Sequence, residues 1–228
     1  MSTGPLSGKT AVITHATFGA GLAAARLFTD EGAHLFITGN CQKRLKEAVR
    51  DLGEVVSGIL CNTSNNDDLN ELYSEIAKKR HRIDVLFASP ECGEFATFGD
   101  VTAEHLNVMT KAVQGTVFLV QKLLPLISDG GVIIIGGSFK DVCLTPEFAV
   151  YNASLAVLHT FADVWNKTLK ARNIRVILLS PDTIYPMKDN QEKETNCSND
   201  SSMGNIGESE IIASCALSLV LSNSVMIY

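Results

Sequence analysis

Basic charge is scarce in this chain: 19 Lys and Arg stand against 25 Asp and Glu, giving a formal net charge of -6. A nucleic-acid surface needs clustered cations, so that class of partner is excluded as the main one. The one dense basic stretch, Lys78-Lys79-Arg80-His81-Arg82, falls at the end of a predicted helix, where cations offset the helix dipole. Long apolar runs are also missing: none reaches the ~18 residues of a membrane span. Met1 to Gly8 has no basic segment leading into an apolar core, so no secretory signal is expected. The cysteines Cys41, Cys61, Cys92, Cys143, Cys197 and Cys215 form no C-x-x-C pair. That spacing predicts reduced thiols in the cytoplasm, and neither a metal site nor a disulfide framework.

What the chain does have is apolar residues, 46% of 228, enough for one domain with a large core. Short runs rich in Val, Ile and Leu alternate with longer amphipathic stretches, the pattern of a parallel sheet covered on both faces. Strands are predicted at Thr10 to Thr14, His34 to Thr38, Val55 to Cys61, Val85 to Ala88, Val132 to Gly136 and Val176 to Leu179. Helices are predicted at Ala20 to Glu31, Lys43 to Leu52, Asp67 to Arg80, Glu104 to Ile127, Val150 to Arg172 and Ser209 to Ser222. The fourth and fifth helices carry apolar residues on more than one face (Val113, Val117, Val120, Leu124; Leu155, Leu158, Phe161, Trp165). Residues 104–127 and 150–172 are therefore expected to form the contact of a homodimer or homotetramer. The polar run from Pro186 to Gly207 reads as a surface loop within a single domain, 1–228.

Directly after the first strand comes Thr14-His15-Ala16-Thr17-Phe18-Gly19-Ala20-Gly21, which resembles the T-G-x-x-x-G-x-G turn of the short-chain dehydrogenase/reductase family. Ser138, followed thirteen residues later by Tyr151, resembles that family's catalytic Ser and Tyr. Further likenesses are Ile83-Asp84-Val85-Leu86, Gln114-Gly115-Thr116, Ile174-Arg175-Val176, Leu179-Ser180-Pro181 and Ile206-Gly207-Glu208, so the resemblance spans Leu6 to about Asn223. It implies a Rossmann-like, doubly wound parallel sheet with helices on both faces. A dinucleotide would lie against Thr14, Gly19, Gly21 and Asn62, with its diphosphate at a helix N-terminus. The chain stops at Tyr228, short of the family's last strand, so that edge strand is expected to be missing.

The pattern breaks where the family touches its cofactor. His15 replaces the first glycine, and a side chain there threatens both the tight turn and the cofactor. Thr38-Gly39-Asn40 offers neither the Asp that holds the ribose of NAD nor the Arg that holds the extra phosphate of NADP. Asn62 stands for an Asp, a mild change, while Ser89-Pro90-Glu91 stands for N-A-G, a severe one. The family's relay Asn falls on Ala112 and its Lys on Leu155, and Asp182 replaces a glycine. Without a neighbouring cation, the Tyr151 phenol keeps its proton well above neutrality.

These departures predict a cleft without a nicotinamide cofactor, NADP(H) being the one to expect should any bind. Ser138 and Tyr151 would then act as hydrogen-bond donors to a carbonyl, with Glu91, Asp182 or His15 as base. The expected reaction is a non-redox cyclisation, isomerisation or elimination on a small, largely apolar substrate. Two alternatives stay open: an inactive binding partner, and a weak NADP-dependent reductase in which Lys140 replaces the missing Lys. Fold alone does not choose among them.

Overall fold

The computed structural model describes residues 4–90, 96–97, 99–136, 149–179 and 206–222. Six strands run β1 Thr10–Ile13, β2 His34–Gly39, β3 Val56–Leu60, β4 Ile83–Ala88, β5 Ile127–Gly136 and β6 Arg175–Leu179. Between them lie α1 Gly19–Asp30, α2 Gln42–Leu52, α3 Asn66–Lys79, α4 Ala103–Leu123 and α5 Ala149–Thr168, and α6 Ile206–Leu221 follows. All pairings are parallel, in the order β3-β2-β1-β4-β5-β6. This is the expected Rossmann-like arrangement, and its direction of winding reverses between β1 and β4. A crevice opens at such a switch point, beyond the carboxyl ends of the two strands.

Alternation along the strands divides the core in two. Leu35, Ile37 and Phe87 face one way, against Phe28 of α1, Leu45 of α2, and Ile212 and Ala216 of α6. Val12, Phe36, Leu86 and Ile133 face the other way, against Leu72 of α3, Leu119 of α4 and Leu158 of α5. At the amino ends of the strands, Asp84 is buried to 7% exposure. Its carboxylate accepts from the Thr10 backbone N–H at 2.9 Å and from Lys9 Nζ and Arg82 Nη2, each at 3.2 Å. One side chain therefore pins β1 to β4, and Arg82 of the basic stretch belongs to this knot.

Two helices end earlier than their apolar spacing predicts. The fourth stops at Leu123 and not at residue 127. Pro125 sits in the 3-10 turn Leu124–Leu126, and Ile127 already opens β5; proline lacks the N–H that an α-helix needs. Sequence placed the start of β5 at Val132. The observed strand begins five residues earlier and accommodates Gly130, at φ 78°, where its register against β4 shifts. The fifth helix stops at Thr168, and Asn173 turns the chain at φ 52° after the 3-10 turn Lys170–Arg172. Arg172 fastens this corner, donating to Asp129 Oδ1 at 2.8 Å, to the Leu124 carbonyl at 3.2 Å and to the Ile127 carbonyl. Among the described residues no helix is long and apolar enough to cross a membrane, and no cluster of His, Cys, Asp or Glu could hold a metal.

Candidate active site

The first functional element is the turn from β1 into α1. Thr14 is fully buried and holds the end of β4 through its hydroxyl: Ser89 N–H donates to Thr14 Oγ1 at 2.9 Å, and Thr14 Oγ1 donates to the Ser89 carbonyl at 3.3 Å. Thr14 N–H donates to the Phe87 carbonyl at 3.0 Å, and Ala16 N–H donates to the Thr38 carbonyl at 2.9 Å. The turn is thus tied to both neighbouring strands before α1 begins.

His15 corrects the expectation that a side chain would wreck this turn. Its backbone takes φ 51°, the left-handed conformation natural to glycine, at a cost of about 1–2 kcal/mol for an L-residue. Its Nδ1 lies 2.9 Å from the Ser89 carbonyl. The carbonyl can only accept, so Nδ1 carries the proton. This hydrogen bond to a carbonyl that also accepts from the Thr14 hydroxyl offsets much of the strain, and the glycine-like turn survives.

Gly19 and Gly21 keep the places that the resemblance gave them. Gly19 has φ 54°, and a Cβ there would meet nothing within 4 Å, so the entrance to α1 faces open space. A Cβ on Gly21 would lie 2.8 Å from the His15 carbonyl oxygen, and one on Gly39 would lie 2.6 Å from Thr17 Cγ2. These contacts explain why both positions must be bare. The first turn of α1 has no acidic residue, and its N-cap, Phe18, makes no side-chain cap. The first N–H groups of the helix are therefore available to an anion.

Asn62 follows β3 and is exposed. Its Oδ1 accepts from Ser64 N–H at 2.9 Å, while its own N–H donates to Asp68 Oδ2 at 2.7 Å. The carboxamide oxygen shapes the loop, leaving the NH2 group as the half that can meet a ligand. Ser64 Oγ in turn donates to the Lys111 carbonyl at 3.2 Å, and a Cβ on Gly115 would lie 2.9 Å from Thr63 Oγ1. The loop after β3 is thereby held against α4.

Of the residues assigned to chemistry, Tyr151 is described: it is buried at 4% exposure in the first turns of α5. Leu155 lies one turn further along and Ala112 is buried on α4, so carbon stands where the resemblance calls for an amine and an amide. Ser138, Glu91 and Asp182 lie outside the described residues, as do Lys140 and Cys92. The structure thus brings Thr14, His15, Gly19 and Gly21 together at the switch point. Sequence reasoning took Ser89 only as part of the break at Ser89-Pro90-Glu91 and missed its backbone as the partner of both Thr14 and His15. The signal for it was weak, since a backbone carbonyl carries no residue code.

The thiols differ by environment. Burial, aided by Asp68 and Glu71, pushes Cys61 up to about 12. Burial also raises Cys215. Cys41 stands at the N-terminal boundary of α2, where the nearby N–H groups of Arg44 and Lys43 hold its thiol below the ordinary range. Among the described residues Cys41, Cys61 and Cys215 are all free.

A parallel sheet wound 3-2-1-4-5-6, with a glycine-bearing turn at its switch point, defines a dinucleotide-binding type of fold. The comparisons narrow this. The family model described as enoyl-(acyl carrier protein) reductase matches residues 16–228. The chain is 36% identical over 182 residues to oxidoreductase asL5 of Sarocladium schorii, covering 78% of this chain and 73% of that protein. It is 31% identical over 189 residues to mouse dehydrogenase/reductase SDR family member 4, covering 79% and 67%. Among solved structures, L-sorbose reductase from Gluconobacter frateurii, complexed with NADPH and L-sorbose, superposes with a TM-score of 0.70 at 28% identity, covering 82% of this chain and 75% of that one. The landomycin C-6 ketoreductase LanV shares the fold, with a TM-score of 0.78 at 22% identity over 96% and 91% of the two chains. The chain belongs to the short-chain dehydrogenase/reductase family, whose members named here are oxidoreductases.

Proposed function

We propose that this protein is a nicotinamide-dependent oxidoreductase acting on a carbonyl of a small, largely apolar substrate, with slow proton delivery. The intact turn from Thr14 to Gly21 carries this reading. Its left-handed His15, open Gly19 and uncapped α1 entrance preserve a diphosphate cradle that a lost cofactor would leave free to close. The relatives support it: L-sorbose reductase was solved with NADPH. This replaces the expectation of an empty cleft, which rested on His15, Asn40, Asn62, Ser89-Pro90-Glu91, Ala112, Leu155 and Asp182 taken together and which the relatives do not support.

Thr14, Gly19, Gly21 and the NH2 group of Asn62 would hold the dinucleotide, which supplies a hydride when bound. Tyr151 would donate a hydrogen bond to the substrate carbonyl and yield its proton as charge develops on that oxygen. Leu155 supplies no ammonium one helical turn after Tyr151, where the resemblance calls for a lysine, so proton delivery from the phenol is slow.

Leu155 and Ala112 also favour a second reading, a cofactor-independent cyclase, isomerase or lyase that uses Tyr151 only as a donor. Titration of NADH and NADPH, followed by nicotinamide fluorescence, separates the two. Micromolar binding together with deuterium transfer from 4-deuterated cofactor to a ketone supports the oxidoreductase. Binding without transfer across a ketone panel leaves an inactive cofactor-binding protein, and no binding at all favours the cofactor-independent enzyme.

A second copy of the chain is proposed to cover α4 and α5. Met109, Val113, Val117, Phe118, Val157 and Phe161 line an almost wholly apolar hollow of about 320 Å³ between these helices, and Val157 and Val164 are exposed beside it. A twofold axis through such a face would bury both copies at once. Sedimentation equilibrium showing a dimer, with Val117→Asp shifting it to monomer, checks the assignment.

A further inference from the structure

The β1–β4 switch point contains one residue whose chemistry neither its family likeness nor its local fold explains. His15 stays in a left-handed conformation, φ 51°, where glycine would sit without strain. Among non-glycine residues at positive φ, His81 and Asn173 end helical segments; His15 alone of these three stands between a strand and the entrance to a helix. Strain kept at the mouth of a crevice points from conformation to function.

The ring is oriented. Nδ1–H is committed to the Ser89 carbonyl at 2.9 Å, which anchors the imidazole across the gap between β1 and β4. The other nitrogen, Nε2, makes no hydrogen bond among the described residues, and the side chain is only partly buried. In the neutral ring Nε2 accepts; in the protonated ring it donates. A phosphate oxygen could use only the protonated form. A hydroxyl, being donor and acceptor at once, can pair with either. The partner that suits this nitrogen is therefore an alcohol, and the alcohols of a dinucleotide are its ribose hydroxyls.

We infer that His15 is a cofactor-binding residue whose Nε2 binds a ribose hydroxyl of the adenosine diphosphate half of the cofactor, replacing affinity lost through Asn40. The inference rests on the cofactor reading above. It assigns the imidazole the role of a ligand to the sugar, opposite to the obstruction that a bulky residue at a glycine position suggests.

Isothermal titration of wild type and His15→Gly with ADP-ribose, ADP and 2′,3′-dideoxy-ADP tests it. His15→Gly should fold with a melting temperature within a few degrees of wild type, since relief of strain offsets the lost Ser89 bond. It should bind ADP-ribose and ADP about tenfold more weakly, the loss expected of one hydrogen bond, and the dideoxy analogue as wild type does. His15→Asn, which tolerates the left-handed turn and keeps both a donor and an acceptor, should recover part of the loss. Equal or tighter ADP binding by His15→Gly would overturn the inference while leaving the cofactor reading intact. An equal loss with the dideoxy analogue would also overturn it. If wild type binds none of these ligands, and neither NADH nor NADPH, both readings fail together.

Discussion

Thr14 and Ser89 hold each other in both directions, side chain to backbone: Ser89 N–H donates to the Thr14 hydroxyl at 2.9 Å, and that hydroxyl returns a bond to the Ser89 carbonyl at 3.3 Å. Thr14 is fully buried, so a Thr14→Val change keeps the shape and strands the Ser89 N–H, while the Ser89 carbonyl keeps its bond from His15 Nδ1. The loss should be about 1–3 kcal/mol of unfolding free energy, read from urea melts. Thr14→Ser keeps the hydroxyl and should lose less than half of that. Equal losses for the two would mean that the methyl group holds the strand ends together as strongly as the hydroxyl does.

Most of the fold was readable because period and composition agree along the chain. β1 lies where its short run of Ala, Val and Ile predicts it, and β4 contains the predicted Val85 to Ala88 but begins two residues earlier, at Ile83, because the buried carboxylate of Asp84 interrupts its apolar run. Helix ends were less legible. The apolar spacing of α4 continues through Leu126 into Ile127, and only Pro125 and the register of β5 decide where helix gives way to strand. At the site, the positions of Thr14, Gly19 and Gly21 followed from their place after β1. The conformation of His15 did not. Residue type argued against a left-handed backbone there, and the bond that supports it goes to a carbonyl 74 residues away in sequence, beyond the reach of any local pattern.

Asp84 offers a stability test remote from the cleft. Its buried carboxylate satisfies Thr10 N–H and draws in Lys9 and Arg82, whose side chains are about half exposed. Removing a buried acceptor costs more than the bond itself, because the donor is left without a partner. Asp84→Ala should therefore lower unfolding free energy by about 2 kcal/mol, whereas Lys9→Ala, touching one exposed end of the knot, should cost less than about 1 kcal/mol. Guanidinium melts of both variants check the order. A larger effect from Lys9 would place the binding energy in the ion pair.

The thiols should separate by pH. Alkylation requires thiolate, so its rate rises as pH approaches each thiol's pKa from below. Backbone N–H groups at the start of α2 stabilise the thiolate of Cys41, while Cys61 titrates only at about 12. At pH 7.5 iodoacetamide should label Cys41 before Cys215 and leave Cys61 untouched, as site-resolved mass spectrometry would show. Raising the pH to 9 should increase labelling of Cys215 more than that of Cys41, whose thiolate is already more populated at the lower pH. Early labelling of Cys61 would mean that the β3 end opens in solution.

The proton relay can be tested by putting it back. Leu155 lies one helical turn beyond Tyr151 on α5 and is partly buried, so Leu155→Lys brings an ammonium near the phenol at the cost of some desolvation. A cation there favours the phenolate and lowers the pKa of Tyr151, bringing it closer to the operating pH, where proton transfer is most efficient. Ala112→Asn adds an amide on the neighbouring helix. The double variant should raise ketone reduction at pH 7 by about 10²-fold and move the alkaline limb of the rate profile toward neutrality. Tyr151→Phe in the same background should abolish the gain. If the double variant binds cofactor as wild type does yet gains no rate, Tyr151 is not the proton donor, and the group that serves the carbonyl must lie elsewhere in the cleft.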